Sequence, residues 1–236
     1  MNTLVIDDDP VSRLAVVDLV RRFDLGSCGE VESGTAAWKH LETNPPPLLI
    51  CCDVRMPGLS GIEFLANVKS CRDFERIPFV LVTSATDSDV VQEAVKLGAS
   101  GYIVKPFAAE EARKRLQTIL LSAWTHIAED PANTLERLSI AAPKLQVYYS
   151  AFRRQIDDAL ALIASGSETL ESTLPGRLDA LQTGCLTLGL WHGARIIDRL
   201  KSHSNPSGGR DYLAAVGQLL DQQRSRTRDG SWRRTA

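Results

Sequence analysis

The first half of the chain alternates between short apolar runs and stretches in which apolar residues recur every three or four positions. The runs predict buried strands, and the recurring pattern predicts helices with one apolar face. A chain in which strands and helices alternate folds into a parallel sheet that is covered on both faces. All its strands then end at the same edge of the sheet, where open α/β folds bind their ligands. The apolar runs cover residues 4–6, 48–52, 79–82 and 102–104.

Charged or hydroxyl side chains follow each of these runs at the predicted ligand-binding edge. The residues in these positions are Asp7, Asp8 and Asp9 after the first run, then Asp53, Thr83 and Lys105. Neighbouring carboxylates repel each other, so an acid pair that ends a buried strand suggests a hard divalent cation, and magnesium is the best match. Taken alone, Asp9 before Pro10 has a second interpretation, which is an ordinary helix N-cap with proline in the first turn.

Residues 1–124 resemble the receiver domain of two-component response regulators. The residues that carry the resemblance are the acid pair Asp7 and Asp8, then Asp53, Thr83 and Lys105. Supporting matches are Met56-Pro57-Gly58 with Gly61, Gly98-Ala99, Tyr102 and the Lys105-Pro106-Phe107 turn. The resemblance implies a flavodoxin-like fold with a five-stranded parallel sheet in the order 2-1-3-4-5.

The resemblance also implies a metal site and a phosphoacceptor. Asp7, Asp8 and Asp53 should hold Mg²⁺ together with the backbone carbonyl of Arg55. Asp53 should be the residue that takes the phosphoryl group. A carboxylate is a weak nucleophile, and it attacks phosphorus only when the charge around the phosphoryl group is neutralised.

Three further roles follow from the same resemblance. Lys105 should hold one phosphoryl oxygen through its ammonium group, and Thr83 should donate its hydroxyl to another. In the family, the threonine moves toward the phosphoryl group while an aromatic side chain on the last strand rotates inward. The aromatic residue in that position is Tyr102. Thr83 and Tyr102 should together form a switch that a partner or an output domain reads.

Composition and charge exclude several classes of function. The 27 basic residues nearly balance the 29 acidic ones, so the chain as a whole is not an electrostatic nucleic-acid binder. Five cysteines without metal-type spacing indicate reduced thiols. No apolar stretch approaches a membrane span, and the first residues lack the basic start of a signal peptide. We therefore expect a cytoplasmic protein without a membrane partner. The receiver resemblance implies a phosphoacceptor rather than an enzyme.

Strand patterns disappear in the second half of the chain. The last receiver helix should begin near Ala108 and run toward Trp124, and helix-breaking residues then predict a linker over 125–133. Helical periodicity resumes in four segments, which predicts an antiparallel four-helix bundle over residues 134–223. The first segment covers 143–163 and should end at Gly166, the second should begin near Pro175, and the others lie around 191–200 and 213–220.

The second of these segments resembles the signature helix of histidine phosphotransfer domains. Leu181, Leu188 and Gly189 match that signature. Asp179 stands where the phosphorylated histidine would be, and Gln182 stands where a lysine would be. The same pattern also fits a small four-helix bundle with no such relation. The resemblance implies a bundle that does not carry phosphate, and it makes the surface around Asp179 and Gln182 a candidate partner-binding face.

Two other features of the second half bear on function. His192 follows Trp191, which we expect to pack between helices, so His192 should face solvent. Residues 224–236 contain five arginines and little apolar content, which predicts a disordered, solvated tail. A basic tail of this kind could also bind nucleic acid or an acidic protein.

These observations lead to one main hypothesis and two alternatives. The chain is expected to be a response regulator that is phosphorylated on Asp53 by a sensor histidine kinase or a phosphotransfer protein. Its bundle should act as an adaptor that docks a kinase or another receiver without passing phosphate. The alternatives are a phosphorelay protein with a phosphorylated bundle histidine and a transcriptional regulator that acts through the basic tail.

Overall fold

A computed structural model describes residues 3–23, 25–84, 88–165, 170–202 and 209–229 of the chain. These residues fold into two compact units, Met1–Ala123 and Trp124–Ala236. The predicted helix end at Gly166 and the tail residues after Asp229 lie outside the described residues. Within the described ranges, no helix is both long and apolar enough to cross a membrane.

A parallel sheet organises the first unit. Its strands are β1 (Thr3–Ile6), β2 (Cys28–Val31), β3 (Leu49–Asp53), β4 (Phe79–Ser84) and β5 (Gly101–Lys105). They are joined in the order β2-β1-β3-β4-β5, which confirms the predicted fold. The four apolar runs correspond to β1, β3, β4 and β5. No apolar run marked β2, because it is an edge strand in which Gly29 and Glu30 interrupt the apolar pattern.

Five helices alternate with these strands. They are α1 (Pro10–Arg21), α2 (Gly34–Thr43), α3 (Gly61–Ser70), α4 (Ser88–Lys96) and α5 (Ala109–Ile127). One apolar core lies between a face of the sheet and α2, α3 and α4; Ile6, Ile50, Phe64, Phe79 and Leu81 are among its buried members. Val5, Cys51 and Val80 alternate with these sheet residues and are buried as well. Burial of both sets explains why the central strands read as continuous apolar runs.

The second unit is helical. Its helices are α6 (Pro131–Leu138), α7 (Ala142–Ser165), α8 (Leu170–Thr187), α9 (Trp191–Ser202) and α10 (Gly209–Asp229). α7 packs against α8, α8 against α9, α9 against α10, and α10 against α7, so these four helices form the predicted bundle. α6 was not predicted. The Asp130 side chain caps it by accepting a hydrogen bond from the Ala132 N–H at 2.8 Å, and Pro131 occupies its first turn.

The second bundle helix begins earlier than predicted. α8 starts at Leu170 and continues through Pro175, which lies inside the helix. An internal proline removes one backbone hydrogen bond and disfavours a helix by about 3 kcal/mol. The apolar face that follows, with Leu178, Leu181 and Cys185 buried in the bundle, offsets that cost through packing.

The predicted linker over 125–133 is wrong, because α5 runs into this segment and α6 begins within it. Its central residue, Glu129, is held from three sides. The Glu129 N–H donates to the Gly189 carbonyl at 2.7 Å. The Glu129 carboxylate accepts from Arg137 Nη2 at 2.6 Å and from the Thr134 hydroxyl at 2.7 Å. The helix-breaking residues of this segment mark the end of α5 and the start of α6, and both of these helix ends pack into the second unit.

The predicted disordered tail is helical over its first six residues, as part of α10. Arg224 donates to Gln146 Oε1 at 3.2 Å and to the Ser150 hydroxyl at 3.1 Å. The Arg226 guanidinium lies 4.4 Å from the centre of the Trp124 ring. Arginine lays its long apolar stem along a buried surface while its charge stays near water. A prediction of disorder from charge alone was therefore wrong for this segment.

Truncation tests the contribution of these arginines. A chain that ends after Gln223 loses the contacts of Arg224 and Arg226, so its second unit should unfold several degrees below the full chain, since about 1 kcal/mol shifts the Tm of a domain of this size by roughly 4–8 °C. A chain that ends after Asp229 keeps these contacts and is the matched control. Equal calorimetric Tm values for the two truncated chains would contradict the assignment.

Glu129 predicts a pH-dependent stability. Burial alone would raise the pKa of Glu129, but hydrogen bonds from Arg137 and Thr134 outweigh it and hold that pKa below its usual range. The stabilisation is therefore present at neutral pH and is lost as the pH falls through the folded-state pKa. Glu129→Gln should cost about 1–3 kcal/mol at pH 7, and the difference should shrink below about pH 4. The exposed Glu136→Gln is the control; a Glu129→Gln deficit that persists unchanged in acid would refute the linkage.

Candidate functional site

Four strand ends meet at one edge of the sheet in the first unit. β1 neighbours β3, β3 neighbours β4, and β4 neighbours β5, all in parallel. Side chains that close or follow these strands therefore gather at the carboxyl edge. Asp7 is 2% exposed, Asp53 is 8% exposed and Thr83 is 1% exposed, so the floor of the site is closed to water.

Lys105 bridges two buried carboxylates at this edge. Its Nζ donates to Asp7 Oδ2 at 2.7 Å and also to Asp53 Oδ1. Burial raises the pKa of Asp53, although the hydrogen bond and charge of Lys105 oppose that effect. Burial would lower the pKa of Lys105, but the hydrogen bonds that it donates to Asp53 and Asp7 outweigh this effect and raise that pKa. The lysine is therefore a fixed cation that partly offsets the crowding of negative charge.

The start of α1 holds Asp7 in place. The Ser12 hydroxyl donates to Asp7 Oδ2 at 2.6 Å, and the Asp9 N–H donates to Asp7 Oδ1 at 3.0 Å. Arg13 Nη1 donates to the Asp7 backbone carbonyl at 2.6 Å. Our sequence analysis missed Ser12 and Arg13. The available signal was their position in the first turn of a helix that directly follows the acid run.

The helix-cap interpretation of the aspartate run holds for Asp9, and the metal-binding interpretation stays a prediction for Asp7 and Asp8. The Asp9 side chain accepts a hydrogen bond from the Ser12 N–H at 2.6 Å and caps α1, with Pro10 in the first turn. Asp7 turns into the site, and Asp8 between them is exposed. Asp9 therefore stabilises the helix that positions Asp7, which leaves Asp7 and Asp8 as the acid pair.

Arg55 follows β3, and Thr83 lies near the end of the neighbouring strand β4. The Arg55 N–H donates to Asp53 Oδ2 at 2.6 Å, so the two oxygens of Asp53 are held by Arg55 and Lys105. The Thr83 hydroxyl donates to the Ser84 carbonyl at 3.3 Å. Thr83 thus lies on β4, and Arg55 lies in the loop that follows β3, at the same edge of the sheet.

The donor set at this edge matches magnesium in kind. Asp7, Asp8 and Asp53 offer hard carboxylate oxygens, and the buried pair already requires a cation, which Lys105 supplies. Among the described residues, no three acidic, histidine or cysteine side chains are grouped as a ready-made metal site. In this arrangement, the two oxygens of Asp53 accept hydrogen bonds from Lys105 and from the Arg55 N–H. The oxygens fit the ion chemically.

Gly61 allows α3 to begin directly against β3. A Cβ atom at this position would lie 2.1 Å from the backbone oxygen of Asp53. The Gly61 N–H donates to the Val54 carbonyl at 3.0 Å, one residue beyond Asp53. Any larger residue would push β3 away from α3, which explains the glycine that we noted in the sequence.

Known proteins are similar in sequence to this half of the chain. A family model described as the response regulator receiver domain matches residues 3–117. Chemotaxis protein CheY1 of Helicobacter pylori is 30% identical over 120 residues, which cover 51% of this chain and 97% of that protein. The chain belongs to the response regulator receiver family. Chemotaxis protein CheY of Pseudomonas aeruginosa is also 30% identical, over 119 residues that cover 50% of this response regulator and 95% of the relative.

A solved structure is also similar to this half of the chain. The chemotaxis response regulator CheY4 of Vibrio cholerae is 27% identical to this response regulator, with a TM-score of 0.46. The match covers 50% of this chain and 97% of that chain. Receiver domains act with sensor histidine kinases or phosphotransfer proteins and bind magnesium as a family, so this response regulator belongs to a two-component system.

Tyr102 lies on β5 and packs in part against the apolar core. The Arg115 guanidinium of α5 lies 4.2 Å from the centre of the Tyr102 ring. Sequence reasoning identified the tyrosine and missed the arginine. No local pattern joins the two residues, because the contact depends on how α5 packs beside β5.

The second unit of this response regulator brings Asp179 and Gln182 together. Both lie on α8, one turn apart, and Asp179 is exposed. Lys201 Nζ of α9 is 2.5 Å from Asp179 Oδ1 and donates to Gln182 Oε1 at 2.6 Å. Gln182 Nε2 donates in turn to Asp198 Oδ1 at 3.3 Å. These four residues, the α8–α9 polar cluster, form a charged patch at the bundle surface.

The expectation that His192 faces solvent is wrong. His192 is 3% exposed, whereas Trp191 is only half-buried. His192 Nδ1 lies 3.3 Å from Arg195 Nη2. The two neighbours point in different directions from the start of α9, and packing within the bundle decided which one turned inward. The imidazole is therefore not presented at the surface.

Proposed function

We propose that this response regulator accepts a phosphoryl group on Asp53 from a sensor histidine kinase or a phosphotransfer protein. The observation that carries the proposal is the convergence of Asp7, Asp53 and Lys105, in which one ammonium group donates to both buried carboxylates. This arrangement offers a nucleophile, a fixed cation and a second acid at the edge where receiver domains act. The proposal treats the chain as a cytoplasmic phosphoacceptor and assigns it no other catalytic activity.

Transfer of a phosphoryl group to Asp53 requires that the negative charge around this residue be neutralised. A bond forms between an Asp53 oxygen and phosphorus while the bond from phosphorus to the donor nitrogen breaks. Bound magnesium, held by Asp7, Asp8, Asp53 and the Arg55 carbonyl, would supply charge neutralisation. Lys105 already stands at Asp53 and would transfer its hydrogen bond to a phosphoryl oxygen. The preformed position of Lys105 supports this step because little reorganisation is needed.

Thr83 and Tyr102 would convert phosphorylation into a change of surface. Thr83 is buried at the end of β4, and its hydroxyl would turn from the Ser84 carbonyl toward a phosphoryl oxygen. Tyr102 is half-buried on the neighbouring strand β5, beside the exposed Arg115. In the proposed switch this would be the outer position of the ring, and rotation away from Arg115 would give the inner one. A partner that prefers one of these positions would distinguish the two states of the receiver.

We further propose that the bundle is an adaptor that docks a kinase or another receiver and does not pass phosphate. Asp179 presents a carboxylate where a phosphotransfer domain presents an imidazole, and its neighbours Gln182 and Lys201 keep the position polar and exposed. The buried position of His192 supports the adaptor over the relay, since an attacking nitrogen must reach a phosphoryl group in line. The use of Arg224 and Arg226 inside the bundle weakens the case for a nucleic-acid-binding tail.

The acceptor is tested by labelling. With acetyl phosphate or a kinase donor and magnesium, the protein should gain one hydroxylamine-sensitive phosphoryl group, as an acyl phosphate is. Asp53→Asn should abolish the label. Asp8→Asn should slow it through weaker metal binding, whereas Thr83→Ala should still be labelled and fail to signal. Undiminished labelling of Asp53→Asn would exclude the assignment, and equal loss of metal binding in Asp8→Asn and Thr83→Ala would exclude the division of roles.

Docking is tested with the kinase that phosphorylates Asp53. Reversing the charge of the α8–α9 polar cluster with Asp179→Lys should weaken binding about tenfold or more, since like charges across an interface cost several kcal/mol. Asp157→Lys is the matched control, because Asp157 is also an exposed bundle carboxylate paired with a basic residue, Arg153 at 3.1 Å. Alkali-stable phosphohistidine should be absent from the phosphorylated full chain. Finding it at His192, or equal effects of the two reversals, would overturn the adaptor proposal.

A further inference from the structure

The Tyr102 ring is covered by a positive charge on its outer side. The Arg115 guanidinium carbon lies 4.2 Å from the ring centre, well within the range of a cation–π contact. Tyr102 also packs in part against the receiver core. Because Arg115 itself is exposed, the contact lies at the surface and holds the ring from the solvent side.

A cation–π contact at an exposed site changes an equilibrium by about two- to fivefold. A change of this size has little effect on folding stability. It is large enough to change the population of the minor state of a switch, because that state is scarcely populated. Rotating Tyr102 away from Arg115 breaks the contact. The contact therefore favours the outer position of the ring over the inner one by this factor.

A second partner for Arg115 is available on its own helix. Glu111 lies one turn earlier on α5, which places acid and base four positions apart in the favourable order. Arg115 and Glu111 also line the same cavity of about 130 Å³, together with Ile103 and Phe107. Glu111 would therefore form an ion pair with Arg115 when the Tyr102 ring rotates away from it.

We propose that Arg115 is a latch that holds Tyr102 in its outer position before phosphorylation. Arg115 acts through Tyr102 and does not touch the phosphoryl site, so it is a positioning residue. The latch rests on the proposed function, in which Tyr102 rotates inward when Asp53 carries a phosphoryl group. It lowers the resting population of the inward state and thereby suppresses signalling without phosphate.

The latch has a measurable effect on binding. A ligand that binds the inward state has an apparent dissociation constant equal to the intrinsic one divided by the inward fraction. Release of the latch increases that fraction. Removing the Arg115 charge should therefore tighten the binding of a phosphoryl analogue, whereas loss of a positive charge from general electrostatics should weaken the binding of an anion. The sign of the change separates the two effects.

The experiment titrates the full chain with beryllofluoride in the presence of magnesium. Arg115→Gln should bind about two to five times more tightly than the wild type. Arg113→Gln is the matched control, since Arg113 is a cation on the same helix that pairs with Glu110 at 2.6 Å and does not contact Tyr102 in any described interaction. Arg113→Gln should bind with unchanged or weaker affinity.

Two further measurements tie the effect to the ring. In a Tyr102→Leu background, Arg115→Gln should not tighten binding, because the latch has nothing to hold. In the unliganded Arg115→Gln protein, the Tyr102 ring resonances should shift toward those of the wild type with beryllofluoride. Persistence of the tightening without the ring, or unmoved resonances, would overturn the latch.

The outcomes also separate the latch from the proposed function. If the wild type binds beryllofluoride, Asp53→Asn does not, and Arg115→Gln binds no more tightly than the wild type, the latch is wrong and the acceptor proposal stands. If the wild type shows no binding that depends on Asp53, both proposals are wrong. Tightening in Arg115→Gln, absent from Arg113→Gln and from the Tyr102→Leu background, establishes the latch.

Discussion

The Lys105 ammonium between the Asp7 and Asp53 carboxylates is the interaction on which the receiver site depends. Two buried carboxylates at one sheet edge would repel each other strongly in a medium of low polarity. Lys105 offsets this repulsion by donating to both. The strand order makes the contact possible, since β1 and β3 are neighbours and β5 closes the same edge two strands from β3. A cation that enters the site must share these oxygens with Lys105, so metal binding and the position of the lysine are coupled.

Sequence predicted that Asp7, Asp53 and Lys105 meet at one sheet edge, because these residues end or directly follow buried strands. A parallel strand that is buried on both faces appears as an apolar run, and the residue after the run must reach the sheet edge, so Asp7, Asp53, Thr83 and Lys105 could be placed together without coordinates. The edge strand β2 has no such run, and the family resemblance alone implied it. Arg115 could not be assigned in the same way, because its ring contact depends on how α5 packs beside β5.

The bundle shows where local reading of a sequence fails. Apolar periodicity predicted the four helices of the bundle. It did not predict their ends, because the burial of a residue depends on partners far along the chain. Trp124 Nε1 donates to Gln223 Oε1 at 3.4 Å, and Gln223 Nε2 donates to the Glu129 carbonyl at 2.6 Å. These contacts turn a presumed linker and a presumed tail into parts of one packed unit. His192 was misplaced for the same reason, because helix phase near Trp191 is set by tertiary packing.

The proposed acceptor site and the buried imidazole of His192 constrain how the chain would signal. Phosphorylation can change the affinity for a partner only by the difference in binding free energy between the two receiver states. A bundle that passes no phosphate must therefore contribute through contacts. The α8–α9 polar cluster is exposed, so water and salt screen its ion pair and it adds little to stability. Charges in such a position act mainly on the rate of encounter and on the choice of partner. The cluster would then decide which protein is bound, while the receiver decides how strongly the complex forms.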